Sequence, residues 1–173
     1  MPLTTSLLLQ VQAALTGVAD YGSPSSSPVL DIRYATTDGT GANQNDIIWA
    51  DERTVASAAN DDLDLAGSLT NVFGQTVNFA ELTGIIIVNA PRSGAANTTN
   101  LTLGVGTNPV VGYLGGTTPT VGPMRPGHVF LEWNSENASG LCAITAGTGD
   151  ILRIANSSGA PATYQIWLIG RSA

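Results

Sequence analysis

At 173 residues with 43% hydrophobic content, the chain has the size of one domain, and folding at that size buries roughly 70% of the unfolded surface. Thirteen acidic residues face six basic ones, all of them arginine, for a formal charge of −7; this excludes nucleic acid and anionic membrane surfaces as partners, because both demand a basic stripe. A lone cysteine excludes an internal disulfide, and 11% charged residues leave a mild surface of Thr, Ser, Asn, Gly and Ala, suited to long-lived contact rather than to steering a charged substrate.

The first residues, Met1-Pro2-Leu3-Thr4-Thr5, carry no positive n-region, and Leu7-Leu8-Leu9 is followed at once by Gln10 and Gln12. Neither a signal peptide nor a membrane anchor is expected, and the chain reads as one made in a cytoplasm. Residues 3–19 are ambiguous in period. Leu7, Leu9, Val11, Ala13 and Leu15 alternate as a strand does, whereas Leu8, Val11, Leu15 and Val18 fit a helical face; the neighbouring threonines favour the strand. Gly22-Ser23-Pro24-Ser25-Ser26-Ser27-Pro28 then reads as a polar connector able to hinge an arm. The expected organisation is therefore an arm and Ser/Pro-rich hinge over 1–28 and a β-sandwich over 29–173. An extended arm leaves Leu7, Leu9, Val11 and Leu15 in need of a partner, which makes them the candidate contact residues.

Val29–Ala35 alternates strictly as a strand, and Thr37–Asn43 is a glycine-bearing turn. A strand follows through Ile47–Val55, and Asp61–Leu65 places Leu63 and Leu65 inward with Asp62 and Asp64 outward. Ser68–Phe73 is expected to form one short helical turn, with Ser68 as N-cap and Gly74 as its stop. Thr76–Ala80 leads into Leu82-Thr83-Gly84-Ile85-Ile86-Ile87-Val88-Asn89, a run too continuous for a half-exposed strand; it predicts a central strand buried on both faces, stopped by Pro91.

Beyond a polar loop at 93–100, short strands are expected at Leu101–Val105 and Val110–Leu114. Gly115–Gly127, with Pro119, Pro123 and Pro126, reads as a long connection. Strands follow at 128–133, 141–145, 150–155 and 162–169, and Gly147-Thr148-Gly149-Asp150 predicts a hairpin between Ile144 and Ile151. About ten short strands without a fixed repeat predict an all-β, antiparallel, jelly-roll-like sandwich.

No constellation for catalysis, metal or cofactor emerges. The single histidine, His128, has no partner pattern for a triad, and one Cys with one His cannot build a zinc site. Asp61, Asp62 and Asp64 lack the order of a calcium loop and read as a solvated strand edge. Glu132 and Glu136 form too weak a pair to argue a glycosidase. Gly104-Val105-Gly106 and Gly147-Thr148-Gly149 lack the following helix that a phosphate cradle needs. Cys142 reads as an inert core thiol, with no nearby cation in sequence to lower its pKa. Trp49, Trp133 and Trp167 read as core, with one on a face able to anchor an interface or stack on a sugar. The Asn-x-Ser/Thr triplets at Asn97, Asn100, Asn137 and Asn156 are read as products of composition.

Two segments carry a resemblance. One runs from Asn45-Asp46 through Asp51-Glu52-Arg53-Thr54 into Asp61-Asp62-Leu63-Asp64-Leu65-Ala66-Gly67, with Phe73-Gly74-Gln75-Thr76 after it; the other is Ala143-Ile144-Thr145-Ala146-Gly147-Thr148-Gly149-Asp150-Ile151-Leu152-Arg153-Ile154-Ala155-Asn156. Together they resemble small β-sandwich structural proteins of tailed-bacteriophage virions, and most of all head decoration (cement) proteins. The resemblance implies a non-enzymatic protein without cofactors, made in the host cytoplasm and placed on the outer surface of the head. It also implies a homo-oligomer, often a trimer, that clamps subunits of the major capsid protein. Two other roles stay open: a tail, fibre or receptor-binding component, with loops 93–100 and 115–127 making host contacts, and a carbohydrate-binding module with an exposed Trp and a carboxylate in one groove.

Overall fold

The computed structural model describes residues 2–18, 20–104, 106–110, 112–115 and 119–172. Among these residues the chain forms fifteen strands and no helix. In order they are β1 (Thr5–Gln12), β2 (Leu15–Thr16), β3 (Ser25–Ser26), β4 (Val29–Thr36), β5 (Ile47–Val55), β6 (Asn60–Asp64), β7 (Ala66–Thr70) and β8 (Thr76–Asn78). Then come β9 (Glu81–Val88), β10 (Leu101–Gly104), β11 (Thr120–Met124), β12 (Val129–Trp133), β13 (Cys142–Ala143), β14 (Ile151–Asn156) and β15 (Ala162–Arg171).

Two antiparallel sheets make the body. One has the order β12-β9-β15-β5, with β13 pairing on the end of β9; the other has the order β11-β10-β14-β6. Successive strands cross between the sheets at β5 to β6, β9 to β10, β11 to β12, β13 to β14 and β14 to β15. These strand orders are those of an eight-stranded jelly roll. The inner faces interdigitate, Trp49, Ile85, Ile87, Ile166 and Leu168 from one sheet against Leu63, Leu101, Leu103, Leu152 and Ile154 from the other. A small β7-β8 hairpin adds Leu69 and Val77 to this core, and Phe79 follows it.

The Leu82–Asn89 run is central, with β9 held between β12 and β15. Its burial is one-sided, however. Ile85 and Ile87 are fully buried in the core, whereas Ile86 and Val88 point to the outer face and are only half-buried.

Four other expectations are corrected. Ser68–Phe73 is not a helical turn, because Ser68, Leu69 and Thr70 belong to β7 and Asn71–Gly74 makes a tight turn in which the Asn71 side chain accepts from Phe73 and Gln75 N–H. The Gly115–Gly127 connection contains strand β11, which tolerates Pro123 because it is an edge strand and Pro removes no needed donor there. Residues 112–114 are a turn rather than a strand. Thr145–Gly149 is a tight turn as expected, with Gly149 N–H donating to the Thr145 carbonyl at 2.9 Å, but its flanks β13 and β14 enter different sheets and do not form a hairpin. Ala19, Val105, Val111 and residues 116–118, which fall in the expected arm, two expected short strands and the connection, lie outside the described residues.

The described residues among 5–36 form a feature apart from both sheets. β1 and β4 pair only with each other, from Thr5 opposite Thr36 to Gln12 opposite Val29, and β2 and β3 continue the same hairpin outward. The strand reading of residues 3–19 therefore holds for β1. The polar stretch Gly22–Pro28 begins the return half of this ribbon and leads into β4. Its prolines fit because they supply carbonyls, Ala13 N–H donating to Pro28 at 3.1 Å and Gly17 N–H to Pro24 at 3.0 Å.

Candidate docking surface

The ribbon is amphipathic, because residues directly opposite each other in an antiparallel pair share a face. The pairs Leu7–Tyr34, Leu9–Ile32 and Val11–Leu30 lie on one face, which carries no charge and is apolar beyond the Thr5–Thr36 pair at its root. The pairs Ser6–Ala35, Leu8–Arg33, Gln10–Asp31 and Gln12–Val29 lie on the other. That second face holds the ribbon's only charges among β1 and β4, Asp31 and Arg33, paired at 3.4 Å.

A buried polar cluster fastens the root of the ribbon to the sandwich. The hydroxyls of Thr5 and Thr36 meet at 2.5 Å, and the Asn45 carboxamide N–H donates to Thr36 at 3.1 Å and to Thr5 at 3.3 Å. Asn45 in turn accepts from the Thr83 hydroxyl at 2.6 Å, and Thr83 sits on β9 within 3.1 Å of the Ile169 carbonyl on β15. Asn45 and Thr83 are fully buried, so each unsatisfied group would be costly and the set fixes one arrangement. Above the root, Tyr34 packs on Trp133 with ring centroids 6.4 Å apart. Trp133 lies over Gly84, where a Cβ would come within 2.7 Å of the indole; that close approach explains a glycine in the middle of a strongly β-forming strand.

Exposure then rises outward along the apolar face. Leu7 is half-buried, Leu9 is 41% exposed and Val11 54%; opposite them Tyr34 and Ile32 are half-buried and Leu30 is 47% exposed. Leu15 on β2 is 72% exposed. Of the four candidate contact residues, Leu7, Leu9 and Val11 thus share one face, and Leu15 stands farther out on the same ribbon.

The sheet beside the ribbon root is apolar over most of its outer side as well, with Gln165, Glu52, Thr163 and Thr54 at the far end of that face. Register places Val129, Leu131 and Trp133 of β12, Ile86 and Val88 of β9, Trp167 and Ile169 of β15, and Ile48 and Ala50 of β5 on that face. Val129 is 56% and Trp167 47% exposed. Between this face and the ribbon runs an open groove of about 430 Å³, lined by Thr4–Leu7, Ile48, Ile86, Val88, Trp133, Trp167 and Ile169. Among the described residues its walls hold no carboxylate, side-chain amide or charged group, so the acidic partner expected of a sugar site does not stand beside the exposed Trp167 there. A second groove, of about 710 Å³, runs along β5 beneath the exposed Val72 and Phe73 of the β7-β8 turn.

The remaining candidates are tied into structure or stand apart. Asp61 bridges the two sheets: Arg53 donates to it at 2.6 and 2.8 Å and the Tyr164 hydroxyl at 2.8 Å. Burial alone would raise the Asp61 carboxyl, but these donors outweigh it and hold it below the usual carboxylate range. Asp62 is paired with Arg153 at 2.5 and 2.6 Å, and Asp64 accepts from Ala66 N–H. The three carboxylates thus serve three separate partners. His128 is exposed beside the start of β12. Cys142 is buried, and desolvation pushes its thiol up to about 11. Glu132 is half-buried on β12, and Glu136 is exposed in the loop after it. Trp49 is core, its indole N–H donating to the Thr70 carbonyl.

Reading the sequence did not reveal Asn45, Thr83 or Arg171. Arg171 is fully buried; it donates to the carbonyls of Gln44, Ser135, Asn137 and Ala138 and to Glu81 at 2.9 Å. It thereby ties the loops that flank the ribbon root. Such a residue has no local pattern, since its partners come from three distant segments. Comparison of the chain with protein-family models, curated proteins and solved structures found no match.

Proposed function

We propose that this chain is a non-enzymatic structural protein of a tailed-bacteriophage virion, decorating the outer surface of the head and stabilising it by clamping major capsid protein subunits. The resemblance of residues 45–76 and 143–156 to phage virion proteins supplies the virion context. The observation that carries the clamp is the ribbon: a two-stranded element that leaves a rigid jelly roll, is latched at its root and exposes an apolar face at Leu9, Val11 and Leu30. Exposed apolar surface of this extent marks an interaction site. A ribbon that reaches beyond its own body adds contacts across a subunit boundary, and each contact raises the effective concentration of the next.

The test is reconstitution. Purified chain is added to heads that lack it, and bound copies and the temperature of head disruption are measured. Saturable binding to the shell with a raised disruption temperature is expected. Heads that neither bind the chain nor gain stability would refute the role.

A further inference from the structure

β5 is an outermost strand of its sheet, so alternate backbone N–H and C=O groups along its second side have no strand partner among the described residues. The other outermost strands are guarded. β11 carries Pro123, β6 carries Asp62 and Asp64, β12 carries Glu132, and the C-terminal half of β5 carries Asp51, Glu52 and Arg53; proline and charge both oppose pairing with a foreign strand. The N-terminal half of β5, Ile47-Ile48-Trp49-Ala50, has neither.

That stretch opens onto the groove of about 710 Å³. All of Ile47–Ala50 line it, and so do all of Thr76–Asn78 in β8. Consecutive residues of a strand point to opposite faces, so a cavity lined by all of them lies along the strand's edge rather than over one face. Among the described residues β8 pairs only with β7, which leaves its second side open as well. The groove is therefore a slot bordered by two open strand edges.

We propose that this slot binds an extended peptide segment of a second protein, which adds to β5 along Ile47–Ala50 as a further strand of the β12-β9-β15-β5 sheet. An open edge selects its partner by backbone, because only an extended chain presents N–H and C=O groups at the spacing of a strand. At about 3.3 Å per residue the stretch spans about 13 Å, so pairing involves about four or five residues of the segment. Side chains restrict it further. Val72 and Phe73 of the β7-β8 turn line the slot yet stand 88% and 68% exposed, an apolar rim for alternate side chains of the segment to cover. Asp46 is the one charged residue among those lining the slot, and Asp51 and Glu52 follow on β5; on a chain of net charge −7 they exclude an acidic occupant. The occupant is thus an extended, proline-free stretch with apolar residues at alternate positions and no carboxylate. It comes from another protein because the strands described in this chain are all paired in their own sheets, which leaves a second copy no spare strand to insert.

The slot is separate from the apolar face of the ribbon, and the inference does not depend on the virion role. Its test uses the full chain and a displayed library of random peptides of about eight residues. Enriched peptides are expected to carry apolar residues at alternate positions, to bind at about 1–100 μM and to slow hydrogen exchange within Ile47–Ala50. Methylation of alternate peptide nitrogens separates strand pairing from apolar contact: of two complementary methylated sets, at least one should weaken binding by about 100-fold or more. V72D/F73D is expected to weaken binding about 10-fold with an unchanged circular-dichroism spectrum, and the ribbon variant L9D/V11D to bind as the wild type does. A library that yields no binder overturns the proposal, as do binders that tolerate both methylated sets or that protect amides elsewhere and not those of Ile47–Ala50. Protection of Ile47–Ala50 that rises with concentration in the chain alone overturns it in favour of edge-to-edge pairing between two copies.

Discussion

Replacing Asn45 by alanine removes the latch at the ribbon root. The substitution deletes the donations to Thr5 and Thr36 and the acceptor of the Thr83 hydroxyl. Thr83 turns to the Ile169 carbonyl, already 3.1 Å away, and Thr5 and Thr36 keep each other. Two donations are therefore lost outright and one bond is replaced by a longer one. At about 1 kcal/mol each, with a further contribution from the void, the cost is about 2–3 kcal/mol. Spread over the unfolding entropy of a chain of 173 residues, roughly 2.1 cal/mol/K per residue, this lowers the melting temperature by about 6–8 °C. Hydrogen exchange locates the loss. Amides of β1 and β4 are expected to lose protection roughly 30- to 150-fold. Unchanged melting and unchanged ribbon protection would show that the polar cluster does not hold the ribbon.

Three further outcomes follow from the same geometry. R171M, which strands four backbone carbonyls and Glu81 around an apolar side chain, should cost about 3–5 kcal/mol in urea unfolding; a loss under about 1 kcal/mol would show that the loops around it hold themselves. Asp61 ionises more readily when folded than unfolded, so its stabilising effect is complete above about pH 4 and is lost as pH falls through the folded-state value; D61N should flatten the acid limb of the stability profile, and an unaltered limb would contradict the inter-sheet bridge. Cys142, buried with its thiol pushed up to about 11, should resist alkylation at pH 8 in the native protein and react fully in denaturant; prompt stoichiometric labelling of the native chain would contradict its burial.

Elements with strong local patterns were legible in the sequence. The strict alternation of Val29–Ala35 and Asp61–Leu65 and the β-branched Ile85–Val88 run became strands, because a period of two and stiff side chains speak for themselves within a few residues. What escaped depends on distant partners. Strand β11 was hidden by Pro123, which only an edge position tolerates, and Ser68–Thr70 mimicked a helix N-cap until pairing with β8 pulled it into a strand. The prolines at 24 and 28 signalled a connector, although their carbonyls are ribbon acceptors. Within the docking surface, Leu7, Leu9, Val11 and Leu15 were visible as an apolar segment in need of cover. The outer face of the sheet was half visible: the continuous Ile run announced a second apolar side, and only the fold shows that this side stands half-exposed beside the ribbon. Asn45, Thr83 and Arg171 join segments up to 127 residues apart, and no short stretch of sequence carries that information.

Cryo-electron microscopy of the intact particle tests the decoration role most directly, through the position and copy number of this chain's density. Decoration predicts many copies distributed over the outside of the shell, each with its jelly roll above a boundary between capsid subunits. A few copies confined to the tail, or particles that lack the chain altogether, would contradict it.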